Sequence, residues 1–129
     1  TLSAPILAHW ELLGQQDGAY TRMCCSIPDR KMKQFSGVRL VRTSKEGGSL
    51  FIDKVILFRD GQEVMSRSFR SALTQESPVL EVSMNMEDYA ENVENFEWSI
   101  EVIMAPANTC GIMEMMEKKE LSNDKEKRI

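Results

Sequence analysis

Apolar and polar residues alternate over much of the chain, and a period of two residues predicts β-strands. Residues 96–104 (FEWSIEVIM) show the pattern most clearly. Trp98 and Ile100 share one face of this segment, whereas Glu97 and Glu101 lie on the other. Aromatic and β-branched residues on the apolar face favour a half-buried strand. We therefore predict a strand with Trp98 in the core and both glutamates outside it.

Related patterns complete a set of about seven predicted strands, the other six being residues 7–13, 19–27, 37–42, 50–59, 62–69 and 80–86. Segment 50–59 is apolar on both faces, so it is predicted either to be covered on both sides or to contain a bulge. In segment 19–27, Cys24 and Cys25 fall on opposite faces, because neighbouring residues of a strand point in opposite directions. Cys25 is therefore expected to be a small core residue and Cys24 a surface thiol.

The dipeptide Asp60-Gly61 separates two of these strands and predicts a tight hairpin. Both central residues of a type I′ turn need positive φ, which glycine adopts freely and aspartate tolerates. Other turn residues recur at roughly the 8–12-residue spacing of all-β folds. Antiparallel strands at this spacing predict a β-sandwich, and the hairpin is interpreted as part of its architecture.

The composition changes near the C-terminus. Ile112, Met113 and Met116 share one face of a helix, and the remainder of the chain is polar and charged. We therefore expect one all-β domain over residues 1–111 and, in residues 112–129, a short helix running into a charged tail or linker. The alternative fold is a partly open seven-stranded barrel capped by the same helix. That is the element order of pleckstrin-homology-type domains, an analogy of element count alone.

The length of 129 residues fits one domain that can bury a core without disulfide staples. The chain begins at Thr1 with neither an initiator methionine nor an apolar leader, so we expect a domain excised or processed from a longer protein. Its apolar runs are far shorter than the roughly 20 residues of a membrane helix, so no transmembrane segment is predicted. Three cysteines are an odd set, and the sequence favours a cytoplasmic or nuclear location.

Charge is distributed unevenly along the chain. The net charge is −4, yet residues 22–45 contain seven basic residues and only one acid, Asp29. Residues 71–117 contain ten acidic residues and no lysine or arginine. This bipolar pattern predicts opposed basic and acidic surfaces.

Catalytic and metal-binding patterns are weak. The one histidine, His9, has no orienting acid or nucleophile at a suitable spacing, so we expect no catalytic triad. Cys24, Cys25 and Cys110 lack the spacing of zinc ligands. The acidic stretch 87–95 lacks the residue order of a calcium loop. The sequence therefore predicts no enzyme, no metal and no cofactor.

Two segments remain as candidate partner-binding sites. The basic segment, residues 22–45, has three interpretations. It is a solvated face that keeps edge strands apart, or a surface that binds an acidic protein. In the third interpretation it binds nucleic acid or anionic lipid, and Tyr20 or Phe35 stacks on the bases. The methionine-rich segment, residues 112–116, either caps the core or docks on a partner. The candidate residues are Arg22, Arg30, Lys31, Lys33, Arg39, Arg42, Met113 and Met116.

These observations favour a non-catalytic protein-interaction module of a larger scaffold or assembly protein. It is expected to bind a protein partner, or another copy of itself, through its charged surfaces. The alternative is a domain that binds nucleic acid or anionic lipid through residues 22–45. The acidic isoelectric point, about 5.1, weighs against that alternative.

Overall fold

The computed structural model describes residues 6–12, 20–105 and 108–118, which form eight strands and two short 3₁₀ helices. The strands are β1 (Ile6–Leu12), β2 (Thr21–Ile27), β3 (Phe35–Arg42), β4 (Leu50–Arg59), β5 (Gln62–Leu73), β6 (Val79–Ser83), β7 (Trp98–Ala105) and β8 (Thr109–Glu117). The 3₁₀ helices are Asp29–Lys31, called the basic helix below, and Glu87–Asn95, called the acidic helix. Neither is long and apolar enough to cross a membrane, and the described residues contain no other helix.

The strands form two antiparallel sheets of four strands each. The first sheet has the order β1-β8-β3-β6, and the second has the order β2-β7-β4-β5. The all-β sandwich predicted from the sequence is therefore confirmed. Because the described strands form two separate sheets, they do not support the alternative of a capped barrel.

The strand pairs are nested around one turn. Going outward from the turn, β4 pairs with β5, β3 with β6, β2 with β7, and β1 with β8. Example residue pairs are Arg59 with Gln62, Val38 with Val82, Met23 with Val102, and His9 with Ile112. The chain is thus one long hairpin, folded at Asp60-Gly61 and rolled into two sheets. Asp60 and Gly61 have φ of 51° and 79°, so the type I′ turn is confirmed. Eight strands in this order form a jelly roll, an arrangement found in proteins of unrelated functions.

The core lies between the inner faces of the two sheets. On β7, Trp98, Ile100, Val102 and Met104 are all buried, as the alternation predicts. The indole nitrogen of Trp98 donates to the carbonyl of Val93 at 2.7 Å, so its one polar group is satisfied inside the core. The predicted faces of this strand are confirmed.

The C-terminal helix predicted from residues 112–116 is wrong. These residues belong to β8, which lies between β1 and β3 in the first sheet. Met113 and Met115 are buried, whereas Ile112, Glu114 and Met116 alternate with them on the outer face. Methionine and glutamate favour helices locally, but pairing with two distant strands overrides that weak preference. The charged tail predicted after this segment falls in residues 119–129, outside the described residues.

Gly111 shows why β8 fits beside β1. Gly111 pairs with Trp10, and a β-carbon on Gly111 would lie 2.1 Å from the indole ring of Trp10. Only glycine leaves room for that ring at this position. The indole nitrogen donates to the hydroxyl of Thr109 at 3.4 Å, which satisfies it within the buried pair.

Candidate functional site

A bulge interrupts β4 in the middle of the second sheet. Ile52 and Lys54 pair with consecutive residues of β7, so Asp53, between them, has no partner there. Opposite β5, Asp53 faces the two residues Phe69 and Arg70. The bulge changes the parity of β4, which lets apolar residues on both sides of it point inward. The bulge predicted for this two-sided apolar segment is confirmed.

A hollow of about 500 Å³ opens at the bulge. Its wall includes three aromatic side chains, of Tyr20, Phe51 and Phe69, together with Asp53 and Arg70. Tyr20 is 59% exposed and Phe51 is 56% exposed, which is unusual for rings of this size. We call these five residues the aromatic hollow.

The two charged residues of the aromatic hollow have no electrostatic partner within the described residues. Asp53 is half-buried and Arg70 is exposed, and neither side chain forms an ion pair or hydrogen bond there. Phe69 is better fixed, because the guanidinium of Arg67 lies 5.3 Å from its ring centre. The aromatic hollow therefore combines exposed apolar rings with one unpaired acid and one unpaired base.

Two of the predicted basic residues form ion pairs within the chain. Arg22 of β2 donates to Glu101 of β7 at 3.1 Å. Arg39 of β3 lies between two acidic strands and donates to Glu81 of β6 at 2.7 Å and to Glu114 of β8 at 3.3 Å. The hydrogen bond to Glu81, with a further contribution from Glu114, raises the pKa of the Arg39 guanidinium above its usual value. Arg22 and Arg39 thus meet acids of their own chain.

Arg42 is buried, which removes it from the predicted surface. It is only 4% exposed, and its guanidinium donates to five backbone carbonyl groups, those of Ser44, Glu46, Gly47, Gly48 and Leu73, over 2.7–3.2 Å. Four of these carbonyls belong to the loop between β3 and β4, and the fifth belongs to β5 of the second sheet. Arg42 therefore organises a loop and joins the two sheets. Its alternation with Val38 and Leu40 places it on the inner face.

The other predicted basic residues lie at one end of the sandwich. Arg30 and Lys33 are exposed and Lys31 is half-buried. The basic helix packs against the acidic helix, and Arg30 and Asn95 line a shallow depression between them. Basic and acidic residues therefore share this end of the molecule as well.

The remaining candidates contribute little surface. Met113 is fully buried and Met116 is half-buried on the outer face of the first sheet. Phe35 is also fully buried, so it has no face on which a base can stack. Tyr20, the other residue predicted to stack, is exposed and belongs to the aromatic hollow.

His9 and Cys110 lie on the paired strands β1 and β8 of the first sheet, whereas Cys24 and Cys25 lie on β2 of the second sheet. His9 is exposed on β1, opposite Ile112, and the described residues contain no cluster of three or more His, Cys, Asp or Glu that could hold a metal. Cys24 is exposed, as expected, whereas Cys25, expected in the core, is half-buried and packs against it; all three thiols are free. Burial, with a smaller effect from Cys24, raises the pKa of the Cys25 thiol to about 11. A thiol with this pKa is a poor nucleophile at neutral pH.

The sequence matches no protein-family model and no curated protein.

The pattern within single segments did not predict four residues of the aromatic hollow as site residues: Phe51, Asp53, Phe69 and Arg70. The two-sided apolar pattern of 50–59 was the available signal, since it predicts the bulge that opens the aromatic hollow. The bulge could not by itself identify the facing residues on β5, because that depends on the pairing of strands.

Proposed function

We propose that this domain is a non-catalytic protein-interaction module of a larger scaffold or assembly protein, and that it binds its protein partner through the aromatic hollow. The observation that carries this proposal is the exposure of Tyr20 and Phe51 beside a concave, mostly apolar wall. Aromatic residues are enriched in protein interfaces, and rings that enter pockets contribute most of the binding energy.

The charge distribution supports a protein partner over nucleic acid or lipid. A surface for phosphate groups needs several basic side chains that are available together. Here Arg22 and Arg39 pair with acids, Arg42 is buried, and the basic helix lies against the acidic helix. The acidic isoelectric point, about 5.1, works in the same direction.

The absence of an assembled catalytic group among the described residues favours a binding role. The side chain of His9, on the edge strand β1, forms no hydrogen bond or ion pair with the described residues, and the described part of the chain contains no metal-binding cluster. The free thiols fit a reducing compartment, and we propose the cytoplasm or nucleus.

A photo-reactive phenylalanine at position 51 tests the proposal. The matched control carries the same residue at position 79, because Val79 is also exposed, at 45%, but lies on the first sheet. We expect ultraviolet irradiation of cell extracts to give protein adducts from position 51 and few from position 79. Adducts that disappear on nuclease treatment, or equal yields from both positions, would contradict the proposal.

A further inference from the structure

We propose that the partner seated on the aromatic hollow is a second copy of this chain, related by a two-fold axis. This inference rests on the proposed function and names its partner. A two-fold interface uses the same patch on both subunits, so the patch must complement itself in shape and in charge. The aromatic hollow meets both requirements.

Complementarity of shape comes from exposed rings beside a cavity. Tyr20 and Phe51 are more than half exposed, and the cavity of about 500 Å³ lies between them and β5. Each copy therefore offers both a protruding ring and a recess of a size that can receive one. Packing these rings against each other across the axis removes the largest exposed apolar side chains of the second sheet from water.

Complementarity of charge comes from Asp53 and Arg70. They lie on neighbouring strands at the same bulge, carry opposite charges, and have no ion-pair partner within the described residues. A two-fold axis passing between them places Asp53 of each copy against Arg70 of the partner subunit. The contact forms twice, and it gives an ion-pair partner to both charged groups that have none among the described residues.

The properties of strand β5 favour a dimer in which the faces of two sheets pack together over one in which the β5 strands of two copies pair edge to edge. β5 is an edge strand of the second sheet, and its pairing with β4 shifts at two places. It also carries Glu63, Arg67 and Arg70, and bulges and charges on an edge strand oppose the addition of another strand. The second copy is therefore expected to pack on the aromatic hollow instead of extending the sheet.

Charge reversal tests this arrangement in the purified domain by sedimentation equilibrium. Asp53→Arg or Arg70→Asp alone places like charges across the axis and should raise the dimer dissociation constant by about tenfold or more. The double variant restores opposite charges and should dimerise about as well as the wild type. An equimolar mixture of the two single variants should also dimerise, since every contact in the mixed dimer joins an acid to a base.

Arg22→Glu is the matched control, because Arg22 lies on the same sheet but pairs with Glu101 of its own chain. It should leave the dissociation constant within about twofold of the wild type. Thermal melts of each variant verify folding, and recovery in the mixture cannot come from a misfolded single variant.

Two results would overturn the inference. One is a wild-type dimer that neither reversal weakens, which would locate the dimer contact elsewhere. The other is a domain that stays monomeric while position 51 still captures a different protein. In that case the proposed function stands and the self-association fails. Loss of both the dimer and the protein adducts would reject the two proposals together.

Discussion

The outer faces of the two sheets differ in how completely their charged side chains are paired. On the first sheet, Arg39 is held between Glu81 and Glu114, so basic and acidic side chains cancel across three strands. On the second sheet, at a bulge in the inner strand β4, Asp53 and Arg70 pair with none of the described residues and lie beside exposed rings. The irregular face of the second sheet exposes apolar rings beside two charged side chains, which is why we propose it as the binding face.

The nested topology explains this difference. Because the chain folds back at Asp60-Gly61, the basic residues 22–45 are paired with the acidic half of the chain. This pairing brings Arg22 and Arg39 to acids of the chain, whereas Arg30 and Lys33 stay exposed at one end of the sandwich. At the bulge, by contrast, the rings of Tyr20 and Phe51 remain more than half exposed.

The first way to test the comparison is to remove Arg42, whose charge is satisfied entirely within the protein. Arg42→Ala leaves buried carbonyl groups without a donor and should lower the free energy of unfolding by about 3–5 kcal/mol. Arg39→Ala removes partly exposed ion pairs on the same strand and should cost at most about 1 kcal/mol. Urea titration of both variants measures the difference, and equal losses would show that Arg42 does not organise the loop.

The second test concerns the regular alternation of buried and exposed residues along β7, which contrasts with the bulge in the neighbouring strand β4. Trp98→Ala should cost about 3–5 kcal/mol, because it removes a buried ring and leaves a cavity. Glu97→Ala, at an exposed neighbouring position, should stay within about 0.5 kcal/mol. If denaturant melts reverse this order, the register assigned to β7 is wrong by one residue.

The third test addresses the turn on which both sheets are nested. Gly61→Val should destabilise the fold by about 1–2 kcal/mol, because a β-branched residue resists positive φ. A side chain at position 61 meets no atom within 4 Å, so the cost comes from the backbone alone. Gly48→Val is the control, since that glycine is equally open and has no positive φ. Similar melting temperatures for the two variants would contradict the role of the turn.

The smallest expected effect concerns the two faces of β2. Iodoacetamide at pH 8.5 should alkylate Cys24 well before Cys25, because Cys24 is exposed and the pKa of Cys25 is raised to about 11. Peptide mass spectrometry measures the order, and faster labelling of Cys25 would reverse the faces of the strand.

The same pKa predicts a dependence of stability on pH. Between pH 9.0 and about 11 the unfolded Cys25 thiol ionises while the folded thiol keeps its proton. The free energy of unfolding should therefore fall as the pH rises through this interval, and Cys25→Ala should flatten the fall. Urea titrations at several pH values measure both slopes, and parallel slopes would contradict the pKa.

The sequence contained enough local information for most of the sandwich. Alternation located seven of the strands, the Asp60-Gly61 turn was recognised from its residues, and the two-sided pattern of β4 indicated a bulge. β8 was missed because its methionines and glutamates favour helices locally, and only pairing with β1 and β3 makes it a strand. The burial of Arg42 was predictable from its parity with Leu40, but its five carbonyl partners depend on how the loop closes. The aromatic hollow depends on how the four strands of the second sheet pair, which no single segment contains.

The central claim is that association depends on the aromatic hollow and not on the basic segment. Sedimentation equilibrium of two variants tests it most directly: Phe51→Ser, and the triple reversal of Arg30, Lys31 and Lys33 to glutamate. Both sets of residues lie outside the core, apart from the half-buried Lys31, so both variants should remain folded. We expect Phe51→Ser to raise the dissociation constant by about tenfold or more, as for a central aromatic contact. The triple reversal should leave it within about threefold, because the basic helix follows the end of β2 opposite Tyr20 and so lies away from the aromatic hollow. A dimer that survives Phe51→Ser and dissociates in the triple variant would contradict the account.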